Sequence, residues 1–318
     1  MRPTLVLLLA ACNGPAHDTS TPVDTDTDTD TDADADTDTD SDSDSDSDTD
    51  TDTDTDTAPA FANYTLPTFQ IHMVAIPAAG TTYSMGAGVA DPEDAFQDHD
   101  VTFTRDLWIA DAEVTEVQWA AWATAPDPSP SSSDLGDNFP VEFVSWEDVA
   151  RYANALSSAE GLEACYAEDG TEMVAAYAGD PGACGGYRLA TEAEWEYCAR
   201  AGQDLAYAGS DVADDVAWYG ANAGGAKHEA RGKVANAWGL YDMSGNVWEW
   251  TGDWYESAYA PEAVEDPAGP TSGPGRVIRG GSWFEAPENV RVAFRYFVDP
   301  TFDDDNVGFR IARSRPAE

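Results

Sequence analysis

Lysine is almost absent from this sequence of 318 residues, which has only Lys227 and Lys233 against 61 acidic residues. The formal net charge is −46. Binding to nucleic-acid phosphates needs clustered lysine and arginine side chains. The composition therefore excludes a nucleic-acid-binding surface and favours an exported protein exposed to salt or calcium.

Long apolar runs are also missing, since about 20 consecutive apolar residues are needed to cross a bilayer. The run from Leu5 to Ala11 is short and follows Arg2, which is typical of an export signal. Leu9-Ala10-Ala11-Cys12 resembles a bacterial lipobox, in which the cysteine is acylated and becomes the first mature residue. We predict a signal peptide over residues 1–11, lipidation of Cys12, and a protein anchored to a bacterial membrane, either periplasmic or at the cell surface. A plain cleaved signal with an incidental cysteine is the alternative.

Hydrophobic and basic residues are lacking in the segment that follows. Residues 18–57 hold 18 aspartates, mostly alternating with threonine, serine or alanine, and no lysine or arginine. Neither face of such a segment can be buried to offset the entropy of ordering it. We predict a disordered tether over residues 12–63 and one globular domain over 64–318. A calcium-binding role for the tether is less favoured, because single alternating carboxylates form no preorganised cage.

Few cysteines remain after Cys12. Cys165 and Cys184 flank a segment that reads as an insertion, and in an oxidising compartment we predict a disulfide between them. Cys198 is then unpaired, and we interpret it as a buried, inert thiol because no histidine lies near it in the sequence.

Histidine is equally scarce. His72, His99 and His228 are the three outside the tether, and they show no close metal-ligand spacing. We interpret them as surface or loop residues. The sequence also shows no Ser/His/Asp arrangement and no glycine-rich phosphate loop with a lysine.

What is present indicates an α+β fold with many loops. Three capping boxes begin at Thr115, Ser145 and Thr191 and predict helix starts. Short alternating runs such as "IHMVAI", "LWIAD", "RVIRGGSW", "VRVAFRYFV" and "VGFRIA" predict strands. No second change of composition follows residue 64, so a single domain is expected.

One segment, "NAWGLYDMSGNVWEWTGDWY" at 236–255, combines oxygen-bearing side chains with glycine. Asp242, Asn246 and Glu249 could supply hard oxygen ligands of the kind that calcium prefers. On spacing alone, a polar turn between aromatic core residues is the alternative interpretation.

Four segments together resemble the formylglycine-generating enzyme family, also called the sulfatase-modifying-factor domain. They are "GYRLATEAEWEYCARAG", "NAWGLYDMSGNVWEWTGDWY", "RVIRGGSWFEAPENVRVAFRY" and "NVGFRIAR". The resemblance runs in order from about residue 71 to 313. It implies a loop-rich variant of the C-type-lectin-like fold in a single domain.

The resemblance also implies a structural calcium ion. In the family, ligands come from the Gly-Asn-x-Trp-Glu-Trp stretch, which here implies the side chains of Asp242 and Glu249 and the carbonyls of Gly245 and Val247. At the family's second calcium site, Val216 stands where an asparagine is expected.

Family enzymes oxidise a cysteine of a sulfatase peptide to formylglycine, with copper held by two cysteines after the Gly-Gly-Ser turn. Counting from Gly280, those two positions are Glu285 and Val290. A carboxylate and an isopropyl group cannot replace thiolates as Cu(I) ligands, so we expect no copper and no formylglycine-generating activity. We assign no catalytic residue. Glu285 with Arg291 and Arg295 could form an acid/base set, but we interpret them as solvated ion pairs on a strand.

Two hypotheses follow. The first is a calcium-stabilised binding or structural module, displayed on a lipid-anchored tether, that uses the groove around Ser282, Trp283, Glu285 and Val290 to hold a peptide, protein or glycan. The second is an oxidoreductase of the same family that modifies a partner protein through residues the sequence does not identify.

Overall fold

The computed structural model describes residues 61–316, apart from 87–97, 123, 126, 128–129, 132–134, 170–172, 177–178 and 260–261. The predicted signal peptide, the lipidation of Cys12 and nearly all of the tether over 12–63 lie outside the described residues. Among the residues that are described, no helix is long and apolar enough to cross a membrane.

Three helices begin at the predicted capping boxes. In each, the third helical side chain accepts a hydrogen bond from the N-cap backbone: Gln118 from Thr115, Asp148 from Ser145, and Glu194 from Thr191. The helices of the described part are α1 (Glu116–Ala120), α2 (Trp146–Ala159), α3 (Glu192–Arg200) and α4 (Ala213–Val216). The local sequence signal therefore sets where these helices start.

The strands form four small sheets. The first is β1 (Tyr64–Thr65), β2 (His72–Ile76), β5 (Leu107–Ala110), β14 (Ala312–Ser314) and β8 (Tyr187–Arg188), in that spatial order. The second is β10 (Val264–Glu265), β4 (His99–Thr102) and β3 (Thr82–Met85). The third is β12 (Arg295–Val298), β11 (Arg276–Arg279), β9 (Trp248–Trp254) and β13 (Val307–Phe309), and the fourth is β6 (Tyr166–Glu168) with β7 (Met173–Ala175).

Strand β9 was not among the strands that the sequence predicted. The segment Trp248–Trp254 is the longest strand of the described part. It lies between β11, which is antiparallel, and β13, which is parallel. Its sequence alternates between aromatic and polar residues, but its first six residues are all buried, so its polar face is not solvated.

The predicted strand over "VRVAFRYFV" is only half correct. Pro287–Val290 forms a 3₁₀ turn, and β12 begins at Arg295. Arg291 ends the turn, so it does not share a strand face with Arg295. The predicted ion pairs with Glu285 do not form: Arg295 pairs with Glu192, at 2.6 Å.

Helix α3 is polar in sequence, yet all nine of its residues are buried. Three strand arginines reach its glutamates: Arg188 of the preceding strand bonds Glu194, while Arg279 and Arg295, which are distant in the chain, bond Glu196 and Glu192. Buried charges are tolerated only when they are paired and hydrogen-bonded. These pairs fix α3 against the sheet that carries β9 and β11.

Cys165 and Cys184 are joined by a disulfide with a Cα–Cα distance of 5.7 Å, and Cys198 is a free, buried cysteine. The described residues form a single domain within the unit 57–318. Its apolar core contains the stripe of α2, Val149, Tyr152, Ala153 and Leu156, packed with Trp250 and Phe309.

Candidate functional site

Two glycines turn the chain at the end of β11 and position the segment that follows. Gly280 and Gly281 have φ values of +89° and +74°. A Cβ atom on Gly281 would lie 2.6 Å from the carbonyl oxygen of Asn289. Only glycine therefore allows the close approach that brings Ser282 and the 3₁₀ turn together.

This turn is hydrogen-bonded to the loop that carries the implied calcium ligands. The backbone N–H of Gly245 donates to the carbonyl of Gly280 at 2.8 Å, and the N–H of Trp283 donates to the carbonyl of Asn246 at 2.8 Å. Gly245 is itself fixed, since a Cβ there would lie 2.2 Å from the carbonyl oxygen of Trp218. The structure thus brings the two sequence-predicted sites side by side.

Glu285 stands at the first of the two positions where family enzymes carry a copper-binding cysteine. Its carboxylate accepts hydrogen bonds from the side-chain amide of Asn289 at 2.7 Å and from the indole of Trp248 at 3.3 Å. Its own carbonyl accepts from the N–H of Gly220 at 2.9 Å. The side chain is only 9% exposed, so it acts as a hydrogen-bonded element of the interior.

Val290 stands at the second position and is fully buried. It packs in an apolar cluster with Ala213, Val216, Ala217 and two tyrosines, Tyr207 and Tyr219. Val216, which replaces the asparagine expected at a second calcium site, belongs to the same cluster. The side chains of Val290 and Val216 have no polar atom that could bind a metal.

Copper does not fit these residues. A bound Cu(I) needs soft thiolates, and both positions lack sulfur. The thiol of Cys198 lies in the core of α3, where burial raises its pKa well above the ordinary value. It can serve neither as a ready nucleophile nor as a copper ligand beside Glu285.

The predicted groove is partly closed, which corrects the sequence interpretation. Ser282 and Val290 are fully buried and line no open surface. The accessible side chains here are Trp283, which is half-buried, and Phe284, which is 56% exposed. Their rings lie in edge contact with centroids 5.8 Å apart.

Further aromatic rings extend this surface along β12. Phe294 and Tyr296 are half-buried, and their ring centroids lie 6.0 Å and 6.3 Å from that of Trp248, the residue that bonds Glu285. We call Trp283, Phe284, Phe294 and Tyr296 the aromatic face. The exposure of Phe284 had no local sequence signal.

The implied calcium ligands lie in a strongly acidic interior. Asp242, with φ +55°, accepts a hydrogen bond from the N–H of Arg231 at 2.6 Å. The carboxylate of Glu249 is held by Arg310 at 2.5 Å and 2.6 Å and by the indole of Trp195 at 2.7 Å. Burial, together with the nearby Glu249 carboxylate, raises the pKa of Asp242 to about 6.

Glu113 is a third carboxylate at this place, and the sequence analysis missed it. It accepts hydrogen bonds from the side-chain amide of Asn246 at 2.9 Å and the N–H of Val247 at 3.1 Å. Burial raises its pKa, as do Asp242 and Glu249. In the sequence, the one sign that this acidic residue is unusual was its position between the apolar residues Ala112 and Val114, both of which the structure shows to be buried.

The donor chemistry fits calcium. Asp242 and the carbonyls of Gly245 and Val247 are oxygen donors, and a carboxylate such as Glu249 has about four acceptor sites. Arg310 and Trp195 use three of those on Glu249. The raised pKa values of Asp242 and Glu113 indicate that the positive charge near these carboxylates does not fully offset their burial, so an added cation would stabilise their ionised forms. Within the described residues, no group of three or more histidine, cysteine or acidic side chains has the geometry to hold a metal ion.

His99 contradicts its interpretation as a surface or loop residue. It begins β4, is 6% exposed, and its ring lies 4.6 Å from that of Tyr259. His228 is half-buried and stacks on Trp218 with ring centroids 3.8 Å apart. His99 is therefore a buried strand residue, whereas His228 lies in a loop as expected.

Residues 66–315 match the family model of the sulfatase-modifying factor enzyme 1-like domain. The chain is 31% identical over 266 residues to "Chaperone protein LppX" of Paenibacillus barcinonensis, covering 72% of this chain and 88% of that protein. It is 32% identical over 215 residues to the formylglycine-generating enzyme of Streptomyces coelicolor, covering 62% of this chain and 59% of the enzyme. Among solved structures, "Treponema denticola variable protein 1" matches with a TM-score of 0.69 and 31% identity, over 81% of this chain and all of that one. The predicted α+β fold of this family, in a single domain, is confirmed.

Proposed function

Because the chain belongs to the family of sulfatase-modifying factor enzyme 1-like domains but carries Glu285 and Val290 where the copper cysteines are expected, we propose that it is a binding module without formylglycine-generating activity. Its ligand is a polypeptide, and the aromatic face is the surface that contacts it. Oxidation of a partner protein, the other hypothesis, lacks a redox ligand among the residues described around Glu285.

The observation that carries this proposal is the way the two replaced positions are used. Glu285 is held between Asn289 and Trp248, and Val290 is packed among apolar residues. Both positions contribute to the stability of the turn. The family's reactive position has thus become the support for the exposed rings of the adjacent segment.

The chemistry of the aromatic face suits a polypeptide. Large aromatic side chains supply much contact area at little cost in side-chain entropy, and they are enriched where proteins bind partners. The indole of Trp283 donates a hydrogen bond to the carbonyl of Asp305 at 3.2 Å, and Asp305 follows two further aspartates in the sequence; the net charge of residues 58–318 is −29. A partner with apolar and basic residues is favoured on this surface.

A relative supports a polypeptide ligand over a glycan. The protein that is 31% identical over 72% of this chain is named a chaperone protein, and a chaperone binds polypeptides. We extend that class of ligand to this chain. Display on a lipid-anchored tether at a bacterial membrane, with Cys12 as the acylated residue, is part of the same proposal.

Calcium has a structural role in this proposal. Bound by Asp242, Glu249 and the carbonyls of Gly245 and Val247, it would hold the loop that bonds the turn of Gly280. It would thereby stabilise the base of the aromatic face and take no part in a reaction.

Binding can be tested with the full chain on an array of defined peptides that vary in aromatic and basic content. Phe284→Ala is compared with Val212→Ala, because Val212 is also an exposed apolar residue, at 54%. Binding by the unchanged chain and by V212A, with at least a fivefold loss in F284A, supports the proposal. Equal binding by F284A, or no peptide bound at all, contradicts it.

A second assay separates binding from oxidation. The full chain is incubated with copper, oxygen, a reductant and a Cys-x-Pro-x-Arg peptide, and the peptide mass is followed beside an active family enzyme. We expect an unchanged cysteine. Conversion to the aldehyde would disprove the non-enzymatic proposal and would require metal ligands other than Glu285 and Val290.

A further inference from the structure

A cleft of about 460 Å³ lies away from the aromatic face, at the other end of β9. Trp248 at the start of this strand supports the aromatic face, whereas Asp253 and Trp254 at its end line the cleft. Six residues of strand separate the two ends by about 20 Å. The start of α3 and the segment 264–270 form the other walls.

Asp253 is the central group of this cleft. It is only 4% exposed, and one hydrogen bond is recorded on its carboxylate, from the N–H of Glu192 to Oδ2 at 2.7 Å. Burial, helped by the neighbouring Glu192 carboxylate, raises the pKa of Asp253 to about 8. Because few hydrogen bonds and little positive charge offset the burial of this carboxylate, its ionised form would be stabilised by a cationic partner.

The arginine that lines the cleft is already bonded to other groups. Arg295 donates to both oxygens of Glu192, at 2.7 Å and 2.6 Å, and to the carbonyl of Glu256 at 2.8 Å. Its guanidinium also lies over the rings of Tyr255 and Tyr259. It holds Glu192 in place and leaves Asp253 without a bonded cation among the described residues.

A glycine leaves space beside the carboxylate. Gly269 has φ +70°, and a Cβ atom placed on it would lie 2.9 Å from Oδ1 of Asp253. Any side chain at this position would fill the space on that side of Asp253. The wall thus lies close to Oδ1, the oxygen of the Asp253 carboxylate that accepts no hydrogen bond from the described residues.

The rest of the wall is acidic and apolar. Glu256, Glu265 and Asp266 add negative charge, while Tyr259 and Val264 add apolar surface. His99 also lines the cleft, and its buried Nδ1 has no hydrogen-bond partner among the described residues. An imidazole nitrogen of this kind can accept a hydrogen bond from an N–H donor.

We propose that this cleft binds an ammonium or guanidinium group on an aliphatic stem, with Asp253 as its counter-ion. The stem contacts Tyr259 and Val264, and the charged head reaches the carboxylate past Gly269. A lysine or arginine side chain of a polypeptide and a free polyamine share this chemistry. The site stands apart from the aromatic face and does not depend on the function proposed for it.

Binding of a cation is expected to release a proton. Asp253 is largely protonated at pH 7, and a bound cation stabilises its ionised form. The charged and titratable groups that face it are Glu192 and Glu194 of α3, Arg276 of β11 and Arg295 of β12, with His99, Glu256, Tyr259, Glu265 and Asp266 around the cleft. Affinity for the cation is therefore expected to rise as pH increases from 6 to 8.

Isothermal titration of the full chain tests the proposal with four probes: agmatine, spermidine, an acetylated arginine tetrapeptide and the same acetylated peptide with citrulline in place of every arginine. We expect binding of at least one cationic probe and none of the citrulline peptide. Binding of the peptide alone identifies a polypeptide source, binding of the free amines alone identifies a small molecule, and either result supports the site. No binding of any cation at millimolar concentration overturns it.

The variant Asp253→Asn keeps an oxygen that can accept from the Glu192 N–H and removes the charge. We expect at least a tenfold loss of affinity, whereas Glu288→Gln, an exposed change outside the cleft, retains it. Undiminished affinity in D253N overturns the proposal. Should D253N fail to fold, titration of the unchanged chain at pH 7 in buffers of different ionisation enthalpy decides the matter, because binding without proton release contradicts Asp253 as the counter-ion.

Discussion

The side-chain amide of Asn289 donates a hydrogen bond to the carboxylate of Glu285 over 2.7 Å. This bond closes the short turn that family enzymes use to bring two cysteines to one copper ion. Here the same turn ends in Val290, whose side chain is fully buried. In this chain both side chains are internal: Glu285 is hydrogen-bonded to Asn289 and Trp248, and Val290 packs in an apolar cluster.

Removing the carboxylate of Glu285 is expected to destabilise the domain. In Glu285→Ala the buried donors on Trp248 and Asn289 lose their acceptor, which costs about 1–3 kcal/mol of unfolding free energy. Glu285→Gln keeps one acceptor oxygen and should lose less. Urea unfolding measures both, with exposed Glu288→Ala as the control. Equal stability of E285A and E288A would show that this carboxylate does not support the turn.

Calcium is expected to raise the melting temperature at pH 7.5. At a concentration 100 times Kd, binding adds about 2.7 kcal/mol, or roughly 5–10 °C for a domain of this size. The effect should weaken as pH falls through about 6, because the pKa of Asp242 is about 6 and the protonated carboxyl is a poor ligand. Melting curves in calcium and in chelator, for the unchanged chain and for Asp242→Asn, measure this.

Aspartate 204, whose side chain is 85% exposed, supplies the matched control. Asp204→Asn should retain the full calcium response, while D242N loses it. An equal response in both variants would place any calcium elsewhere, for example on the acidic segment before residue 58.

Local signals predicted the helices well, because a capping box involves residues three apart. Strand β9 was missed because its alternating polar residues, such as Glu249 and Asp253, suggested a solvated turn, whereas partners distant in the chain accompany their burial. The resemblance identified Glu285 and Val290, but the partners of Glu285 come from β9 and from the turn itself. The polar sequence of α3 concealed its burial, because Arg279 and Arg295 are far from it in the chain.

Loss of the Cys165–Cys184 bond is expected to lower the unfolding free energy by about 3 kcal/mol, given a closed loop of this length. Urea unfolding with and without a phosphine reductant measures the loss. The double variant Cys165→Ala/Cys184→Ala should be insensitive to the reductant. Sensitivity that persists in the double variant would point to a different disulfide.

The buried pair of Glu196 and Arg279 is expected to make the domain labile in acid. Burial alone raises the pKa of Glu196, but Arg279 and Arg200 outweigh it, so the net pKa lies below the ordinary value. A carboxyl with a lowered folded pKa contributes stability above its unfolded pKa, and this is lost as pH falls through the folded pKa.

Glu196→Gln leaves buried Arg279 with only its longer contact to Glu192, at 3.5 Å, and we expect a loss of about 3 kcal/mol at pH 7. Its stability should then fall less steeply in acid than that of the unchanged chain. Glu168→Gln, which disrupts an exposed contact with Arg151 at 3.8 Å, should change little. Unfolding in urea from pH 3 to 7 compares the three proteins, and parallel acid profiles for E196Q and the unchanged chain would contradict the prediction.

Asp253 is expected to affect stability with the opposite sign. Its folded pKa is about 8, against 3.8 for the ordinary carboxyl, so between these values the folded state binds a proton that the unfolded state has released. Unfolding free energy therefore decreases as pH rises through this range. Asp253→Asn lacks this titration, so its stability relative to the unchanged chain should increase from pH 5 to pH 8 and then level off.

The matched control is Asp299→Asn. Hydrogen bonds from Thr301 lower the pKa of Asp299, so this carboxyl does not gain a proton on folding, and its difference from the unchanged chain should stay flat between pH 5 and 9. Urea unfolding at unit pH steps measures both differences. If the D253N difference is as flat as that of D299N, Asp253 is ionised in the folded protein at neutral pH. The positive charge already present around this carboxylate would then be enough to keep it ionised, and the proposal that the cleft binds a cationic ligand would lose its basis.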